Sequence, residues 1–411
     1  MKKQLTRMVW IGLGILLALQ ANAQPGSTPA DKKPVTPRPV FSMGPVIVSP
    51  EILPDNRVTF RLLAPKAMAI TISGDWMKGF NASEPLVKND TGLWTITVGP
   101  LAPEYYGYSF NVDGVKALDP SNAQIKRDGV RNESVLMIPG PESDLYLEKD
   151  VPHGTLSKVW YNSASLGMMR RMYVYTPAGY DPTGKTLYPV LYLFHGAGGD
   201  EDAWTTLGRA CQIMDNLISQ GKAKPMIVVM TNGNYYQAAT PGEAPANVGQ
   251  ASPSRGGPGG MVSGKFEASV VKDVVPFIES NYRVQADKDH RAIAGLSMGG
   301  MHTQNITNSN PGLFSYIGIM SMGLLDLKAF GVKPTGQEPD LDQQIEALGK
   351  SGVKLYWIGV GKDDFLYTSV QNLRKKLDSH NFPYIYREST GGHTWANWRI
   401  YLSEFAPLLF K

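Results

Sequence analysis

The residues from Ala292 to Gly300 have the composition of a turn that presents a reactive serine. An apolar segment typical of a buried strand leads into Gly295-Leu296-Ser297-Met298-Gly299-Gly300, and a helical pattern follows. At such a strand-to-helix corner the flanking residues must be small, because larger side chains would collide with neighbouring backbone. The spacing predicts that Ser297 is a nucleophile; a glycine turn with a chance serine is the alternative.

A serine hydroxyl is a weak nucleophile, so it needs a nearby base and a carboxylate that holds this base in the correct tautomer. The chain order Ser, Asp, His is typical of α/β-hydrolases. Of the six histidines, His393 follows the last predicted strand in a glycine-rich loop, and we expect it to be the base. The carboxylate should follow the predicted strand at 355–360, where Asp363 and Asp364 are adjacent. The residues alone leave that choice open.

Ester cleavage also requires backbone N–H groups that stabilise the negatively charged oxygen of the tetrahedral intermediate. We expect one from Met298, directly after the serine, and one from Ala197 in the loop His195-Gly196-Ala197-Gly198-Gly199. His195 itself is expected to brace this loop. Because no His, Cys and Asp residues have the spacing of metal ligands, the sequence predicts neither a metal nor an organic cofactor.

The elements that position these residues are predicted within 154–411. Near-continuous apolar runs, typical of strands buried on both faces, alternate with amphipathic helical patterns. The runs lie at 190–194, 226–230, 293–295, 316–320 and 355–360, after an antiparallel strand at 171–175. Strands between helices predict an α/β fold of the α/β-hydrolase type, with a doubly wound, mostly parallel sheet.

The preceding residues, 41–139, contain short runs of alternating apolar and polar side chains separated by turn signals. This pattern predicts an all-β, immunoglobulin-like sandwich, followed by a linker at 140–153. Trp76 and Phe80 are the candidates for an exposed pair that stacks on sugars, whereas Trp94 is expected in the core. We expect a packing or substrate-guiding module rather than a true sugar-binding one.

Residues 1–23 have the features of a secretory signal peptide. Lys2, Lys3 and Arg7 precede an apolar stretch too short to span a membrane, and Ala23 ends a cleavage pattern. We expect cleavage near Ala23, a Pro-rich linker at 24–40, and a periplasmic or secreted protein with no membrane partner. Without those three basic residues the formal net charge falls from +4 to +1, which argues against a nucleic-acid partner.

Taken together, the motifs resemble those of the esterase D and feruloyl esterase group of carbohydrate esterases, which includes siderophore esterases and mycolyltransferases. The resemblance covers nearly all of 154–411 and rests on four segments: His195-Gly196-Ala197-Gly198-Gly199 with Asp202-Ala203-Trp204, the turn at Ser297, Gly361-Lys362-Asp363-Asp364-Phe365, and Gly391-Gly392-His393-Thr394-Trp395. It implies ester cleavage, with Asp364 as the acid of the triad and Ala197 as an oxyanion donor.

The N-terminal region resembles the immunoglobulin-like modules that precede starch- and glycogen-acting enzymes and some secreted esterases, which are often called carbohydrate-binding modules. The segments that carry this second resemblance are 57–65, 74–76, 108–114 and 118–120.

Two further features concern the substrate. Tyr235, Tyr236, Trp395 and Trp398 follow predicted strand ends and are candidates for an aromatic pocket around a phenolic acyl group, with ordinary loop packing as the alternative. The long segment 240–262, rich in Gly, Pro and Ala, is a candidate substrate-contacting loop.

The sequence therefore predicts a secreted serine carboxylic ester hydrolase. Its expected reaction is the release of hydroxycinnamates, such as ferulate and p-coumarate, from feruloylated arabinoxylan of plant cell walls through an acyl-enzyme. Acetylxylan esterase and siderophore esterase of the enterochelin type are the alternative enzymes. A non-catalytic carbohydrate-binding protein is the alternative of another class, against which the set Ser297, Asp364 and His393 argues.

Overall fold

A computed structural model describes residues 46–79, 82–245, 264–325 and 340–411. Within these ranges, the N-terminal region is built from antiparallel strands in two sheets. The sheets have the strand orders β1-β2-β6-β5 and β4-β3-β7-β10-β9, and β8 pairs with β7. The strands are β1 Glu51–Ile52, β2 Val58–Leu63, β3 Ile70–Gly74, β4 Glu84–Pro85, β5 Val87–Lys88, β6 Leu93–Val98, β7 Glu104–Val112, β8 Val115–Ala117, β9 Ile125–Asp128 and β10 Arg131–Ile138.

Between these sheets lies a hydrophobic core that contains Phe60, Trp94 and Tyr108. The expectation that Trp94 is a core residue is confirmed. Trp76, by contrast, is half-buried and stacks on Phe60 with ring centroids 5.5 Å apart, so the prediction that it is an exposed stacking residue is wrong. Its predicted partner Phe80 lies outside the described residues.

Strand β7 is buried on both of its faces, which the alternating sequence pattern did not indicate. Tyr106, Tyr108 and Phe110 point into the core between the two sheets. Tyr105, on the opposite face, packs with Val135 into a core formed mainly by the C-terminal region. The two regions are therefore joined by shared hydrophobic packing, and Ile47–Lys411 form one compact unit. The predicted domain boundaries stay a prediction.

An eight-stranded sheet forms the centre of the described C-terminal region, with the order β11-β12-β14-β13-β15-β16-β17-β18. Strand β12 is antiparallel to both of its neighbours, and every pairing from β14 through β18 is parallel. The strands are β11 Thr155–Ser163, β12 Met168–Thr176, β13 Val190–Phe194, β14 Ile227–Thr231, β15 Arg291–Leu296, β16 Tyr316–Met320, β17 Leu355–Gly361 and β18 Ile385–Ser389. This is the mostly parallel α/β-hydrolase sheet that the apolar runs predicted.

Helices and helical turns cover both faces of this sheet, because their apolar stripes pack on it. The α-helices are α1 Ala203–Thr206, α2 Ala210–Ser219, α3 Lys265–Ser269, α4 Val275–Asn281, α5 Met298–Ser309, α6 Leu341–Lys350, α7 Tyr367–Ser379 and α8 Trp395–Phe405. A π-helical turn, Val270–Val274, joins α3 to α4, and 3₁₀ turns lie at Asp144–Tyr146, Lys288–His290 and Ala406–Leu408.

Several predicted features lie outside the described residues: the signal peptide at 1–23, the linker at 24–40 and most of the loop at 240–262. Within the described ranges, no helix is long and apolar enough to cross a membrane.

Candidate active site

Ser297 lies at the corner between strand β15 and helix α5, in a conformation that non-glycine residues rarely adopt. Its backbone has φ 51° and ψ −120°, and its N–H donates a hydrogen bond of 2.9 Å to the carbonyl oxygen of Met320. A Cβ atom on Gly295 would lie 2.3 Å from backbone of Gly299, and one on Gly299 would lie 2.6 Å from the His195 carbonyl oxygen. The two glycines are therefore required by close backbone contacts, as the motif predicted.

His393 and Asp364, which follow the neighbouring strands β18 and β17, are in direct contact. The Nδ1 atom of His393 lies 3.0 Å from each carboxylate oxygen of Asp364, whose side chain is fully buried. The Leu366 N–H donates a further bond of 2.8 Å to the same carboxylate. Asp363 is exposed, and its N–H donates to the Gly391 carbonyl oxygen. The geometry thus favours Asp364 over Asp363 as the partner of the histidine.

Ser321, which the sequence analysis did not identify, donates a hydrogen bond to the Asp364 carboxylate of this pair. It is fully buried at the end of strand β16, and its hydroxyl accepts a hydrogen bond of 3.0 Å from the Trp398 indole N–H. Burial would raise the pKa of Asp364, but hydrogen bonds from His393, the Leu366 N–H and the Ser321 hydroxyl outweigh it and hold that pKa below its usual range. A polar residue directly after a buried parallel strand was the signal that could have identified Ser321.

His195 is fixed as a neutral imidazole beneath the loop that contains Ala197. Its Nε2 accepts a hydrogen bond of 2.8 Å from the Gly233 N–H, so Nδ1 carries the proton and donates to the Gly196 carbonyl oxygen at 2.7 Å. Burial lowers the pKa of His195 to about 4, with the Gly196 hydrogen bond opposing this effect. Both ring nitrogens are occupied by backbone groups, which fits a bracing role and leaves none for proton transfer.

A cavity of about 240 Å³, which we call the serine cavity, brings most of these residues together. The residues that line it are Asp128, Gly196, Ala197, Gly199, Leu296, Ser297, His393, Trp395 and Trp398. Met298 is buried in the first turn of helix α5, where backbone N–H groups have no partner within the helix. Ser297, His393 and Ala197 therefore line one concave site, and Met298 directly follows Ser297 in the chain.

The predicted aromatic residues divide between this cavity and other positions. Trp395 and Trp398 line the cavity and pack edge to face with centroids 5.2 Å apart, and Trp398 contacts the ring of His393 at 4.9 Å. Tyr235 and Tyr236 do not line it; Tyr235 packs against the core of the C-terminal region, with Lys265 over its ring. Phe365, which the sequence did not single out, is 73% exposed and contacts the His393 ring at 4.5 Å.

One wall of the serine cavity comes from the N-terminal β region, through the hairpin of β9 and β10. Asp128 at the end of β9 lines the cavity, and a Cβ atom on the next residue, Gly129, would lie 2.4 Å from the Gly198 carbonyl oxygen. Burial raises the pKa of Asp128, although the charge of Arg131 opposes the shift. Sequence reasoning missed this contribution, because an Asp-Gly turn indicates a hairpin and says nothing about what its tip contacts.

The hairpin is anchored by Arg127, whose guanidinium donates to Asp200 at 2.5 Å and to Asp202 at 3.0 Å. Asp200 is buried and follows directly on the Ala197 loop. The ion pair therefore connects the N-terminal β region to the loop that carries the expected oxyanion donor. Among the residues that the structure describes, no group of three or more His, Cys, Asp or Glu side chains has the geometry of a metal site.

The chain is similar in sequence to known proteins. Residues 163–408 match the family model described as "Putative esterase". The chain is 35% identical over 323 residues to an endo-1,4-beta-xylanase/feruloyl esterase of Xylanibacter ruminicola, a match that covers 74% of this chain and 42% of that protein. The chain thus aligns with less than half of the length of this relative.

Solved structures show the same fold. A ferulic acid esterase of Anaeromyces mucronatus has a TM-score of 0.53 and 23% identity, and the likeness covers 66% of this chain and 96% of that one. The enterobactin esterase of Shigella flexneri has a TM-score of 0.58 and 16% identity, with 86% and 94% covered. The second likeness extends over more of this chain than the family match does.

Proposed function

The chain belongs to the esterase family, and from that premise we propose that it is a carboxylic ester hydrolase, an exported serine esterase that releases hydroxycinnamates from feruloylated arabinoxylan. The observation that carries the serine mechanism is the contact between Asp364 and His393 beside a cavity that contains Ser297. The 35% identity to an endo-1,4-beta-xylanase/feruloyl esterase supports the substrate class.

In the proposed reaction, the Ser297 hydroxyl oxygen attacks the ester carbonyl carbon while His393 Nε2 takes its proton. The Met298 and Ala197 N–H groups bind the negatively charged oxygen of the tetrahedral intermediate. Collapse of this intermediate breaks the bond to the alcohol oxygen, which receives the proton from His393, and leaves the hydroxycinnamoyl group on Ser297. Water, deprotonated by His393, then hydrolyses the acyl-enzyme and regenerates the serine.

The environment of Asp364 suits the role of the carboxylate in this reaction. Because its pKa lies below the usual range, it is ionised at neutral pH and can stabilise the imidazolium that forms on His393. Its two oxygens both face Nδ1, so Nε2 is the nitrogen that remains for the serine. Trp395 and Trp398 provide aromatic surface in the same cavity for the planar acyl group.

A substrate panel tests the proposal. We expect kcat/KM to be highest for methyl ferulate and methyl p-coumarate, lower for acetylated xylan, and lowest for a catecholate triester of the siderophore type. The matched control is Ser297→Ala, which should retain the melting temperature and lose turnover of every ester. A preference for acetylated xylan or for the triester would contradict the hydroxycinnamate assignment and favour the corresponding alternative enzyme.

Export is tested separately, by expressing the full chain in a bacterium and determining the N-terminus of the protein in the periplasm and medium. We expect a mature chain that begins near Gln24. A protein that retains Met1 in the cytoplasm would contradict export without affecting the proposed reaction.

A further inference from the structure

A second cavity, of about 380 Å³, adjoins the serine cavity and lies between the N-terminal β region and helix α8. Both regions contribute to its lining: Tyr106, Lys126, Asp128 and Arg131 come from the β region, and Trp395 and Arg399 come from helix α8. Asp128 and Trp395 line both cavities, so the two are adjacent across these side chains. We propose that this second cavity binds the sugar residues on the alcohol side of the ester, an inference that rests on the proposed function.

The position of the cavity relative to His393 assigns it to the alcohol rather than to the acyl group. The leaving alcohol oxygen must lie next to the nitrogen that protonates it. Thr394, Trp395 and Ala396, which directly follow His393 in the chain, line the second cavity. Arg399 of the same helix lines it as well. An alcohol that departs beside His393 therefore extends along this wall.

The chemistry of the walls fits a hydroxyl-rich ligand. The Lys126 side chain is only 6% exposed and its ammonium lies 2.6 Å from the Asp75 carboxylate. Arg399, 2% exposed, donates to Glu104 at 2.8 Å. Charged groups held in place by such ion pairs can donate hydrogen bonds to sugar hydroxyls and accept hydrogen bonds from them without first reorganising. Trp395 and Tyr106 add aromatic rings to the same lining. A planar apolar acyl group would instead remove water from these charges without replacing their hydrogen bonds.

Asp128 and Arg131 are residues of the β9–β10 hairpin that line the second cavity and would contact the sugar. They pair across the turn between β9 and β10, where Asp128 is half-buried and Arg131 is exposed. Since Arg127 fixes the same hairpin to Asp200, the two side chains are presented at a constant distance from the Ala197 loop. Asp128 can accept from a sugar hydroxyl while Arg131 donates to a neighbouring one.

The test compares two ferulate esters with the full chain: methyl ferulate, which has the smallest alcohol, and a feruloylated arabinoxylan oligosaccharide. Asp128→Asn and Arg131→Gln should each lower kcat/KM for the oligosaccharide ester by about tenfold more than for methyl ferulate, the loss typical of one hydrogen bond to a charged group. The matched controls are Asp55→Asn and Arg57→Gln, which alter an exposed ion pair of the same β region outside both cavities and should retain the wild-type ratio.

A second measurement does not depend on the acyl group. Calorimetry measures the affinity of the same oligosaccharide without ferulate for the Ser297→Ala protein, and Asp128→Asn in that background should weaken it by a similar factor. Equal losses on both esters, or an unchanged ratio, would overturn the inference while the proposed function stands. If the wild-type protein hydrolyses neither ester, the proposed function fails, and calorimetry alone decides whether the sugar site exists. Weaker binding of the oligosaccharide by the Asp128→Asn protein supports the sugar site. Unchanged or absent binding overturns it.

Discussion

The C-terminal region and the N-terminal β region contribute to the same cavity by different physical means. Ser297, Asp364 and His393 each stand just after a parallel strand, so the sheet alone brings them to one edge. Asp128 reaches this edge from another sheet, on a hairpin held by the ion pair of Arg127 with Asp200. The proposed chemistry therefore depends on local motifs, whereas the second wall of the site depends on contacts between the two regions.

The two regions also differ in what their charged groups do. In the C-terminal region the buried carboxylate of Asp364 has a pKa below its usual range and faces a histidine at the cavity. At the boundary between the regions, the charges of Arg399 and Glu104 neutralise each other in the floor of the second cavity. The first arrangement can serve proton transfer, and the second can serve binding and cohesion.

The largest expected effect separates Asp364 from the adjacent Asp363. Asp364→Asn should lower kcat by about 10⁴-fold, because the amide no longer holds His393 in the correct tautomer. Asp363→Asn, the matched change at an exposed position, should change kcat by less than about threefold. Both variants are assayed on methyl ferulate, with thermal melting to verify folding. Equal losses at the two positions would remove Asp364 from the proposed triad.

A smaller effect is expected where the two regions are joined. Arg127→Gln leaves the buried Asp200 carboxylate without its cation. We expect the free energy of unfolding to fall by about 3 kcal/mol. This value is at the lower end for a buried ion pair, because the Arg127 guanidinium is 17% exposed. Urea denaturation measures this difference, and turnover of methyl ferulate should decline because the hairpin no longer fixes the Ala197 loop.

The control for this change is Arg57→Gln in the same β region. Its partner Asp55 is exposed, so solvent screens the pair and the urea midpoint should stay at the wild-type value. An Arg127→Gln protein with the stability and the activity of the Arg57→Gln protein would show that the hairpin is not anchored through this ion pair.

The smallest of the three effects concerns pH and the buried His195. Its pKa is lowered from 6.5 to about 4 by burial, so between these values the unfolded chain binds a proton that the folded protein excludes. This contribution to stability is complete above pH 6.5 and is lost as the pH falls towards 4. From pH 7 to pH 5 it should cost about 2 kcal/mol of the free energy of unfolding.

Urea denaturation at the two pH values measures this loss in the wild type and in His195→Gln. The glutamine can donate to the Gly196 carbonyl and accept from the Gly233 N–H, yet it does not titrate. The variant should therefore lose about 2 kcal/mol less than the wild type between pH 7 and pH 5. An identical pH dependence in both proteins would show that His195 is not the buried neutral group described above.

Features that depend on neighbours along the chain could be predicted from the sequence. Glycines at 295 and 299 specify the strained corner at Ser297, because any Cβ there would collide with backbone. Continuous apolar runs specify strands buried on both faces, and hence the parallel sheet and the edge at which its carboxyl ends meet. Periodicity also placed Trp94 in the core, since it alternates in phase with Ile96.

Features that depend on side-chain direction or on contacts distant in sequence could not be predicted, because they arise only in the folded protein. Asp363 and Asp364 are equivalent in composition, and only the turn after β17 buries one of them against His393. Composition near strand ends suggested Tyr235 and Tyr236 for the pocket as readily as Trp395 and Trp398, although the fold places only the two tryptophans of these four residues in its lining. Arg127 and Asp200 are 73 residues apart, and no local pattern encodes a partner at that distance, because the contact exists only when two separately formed sheets pack together.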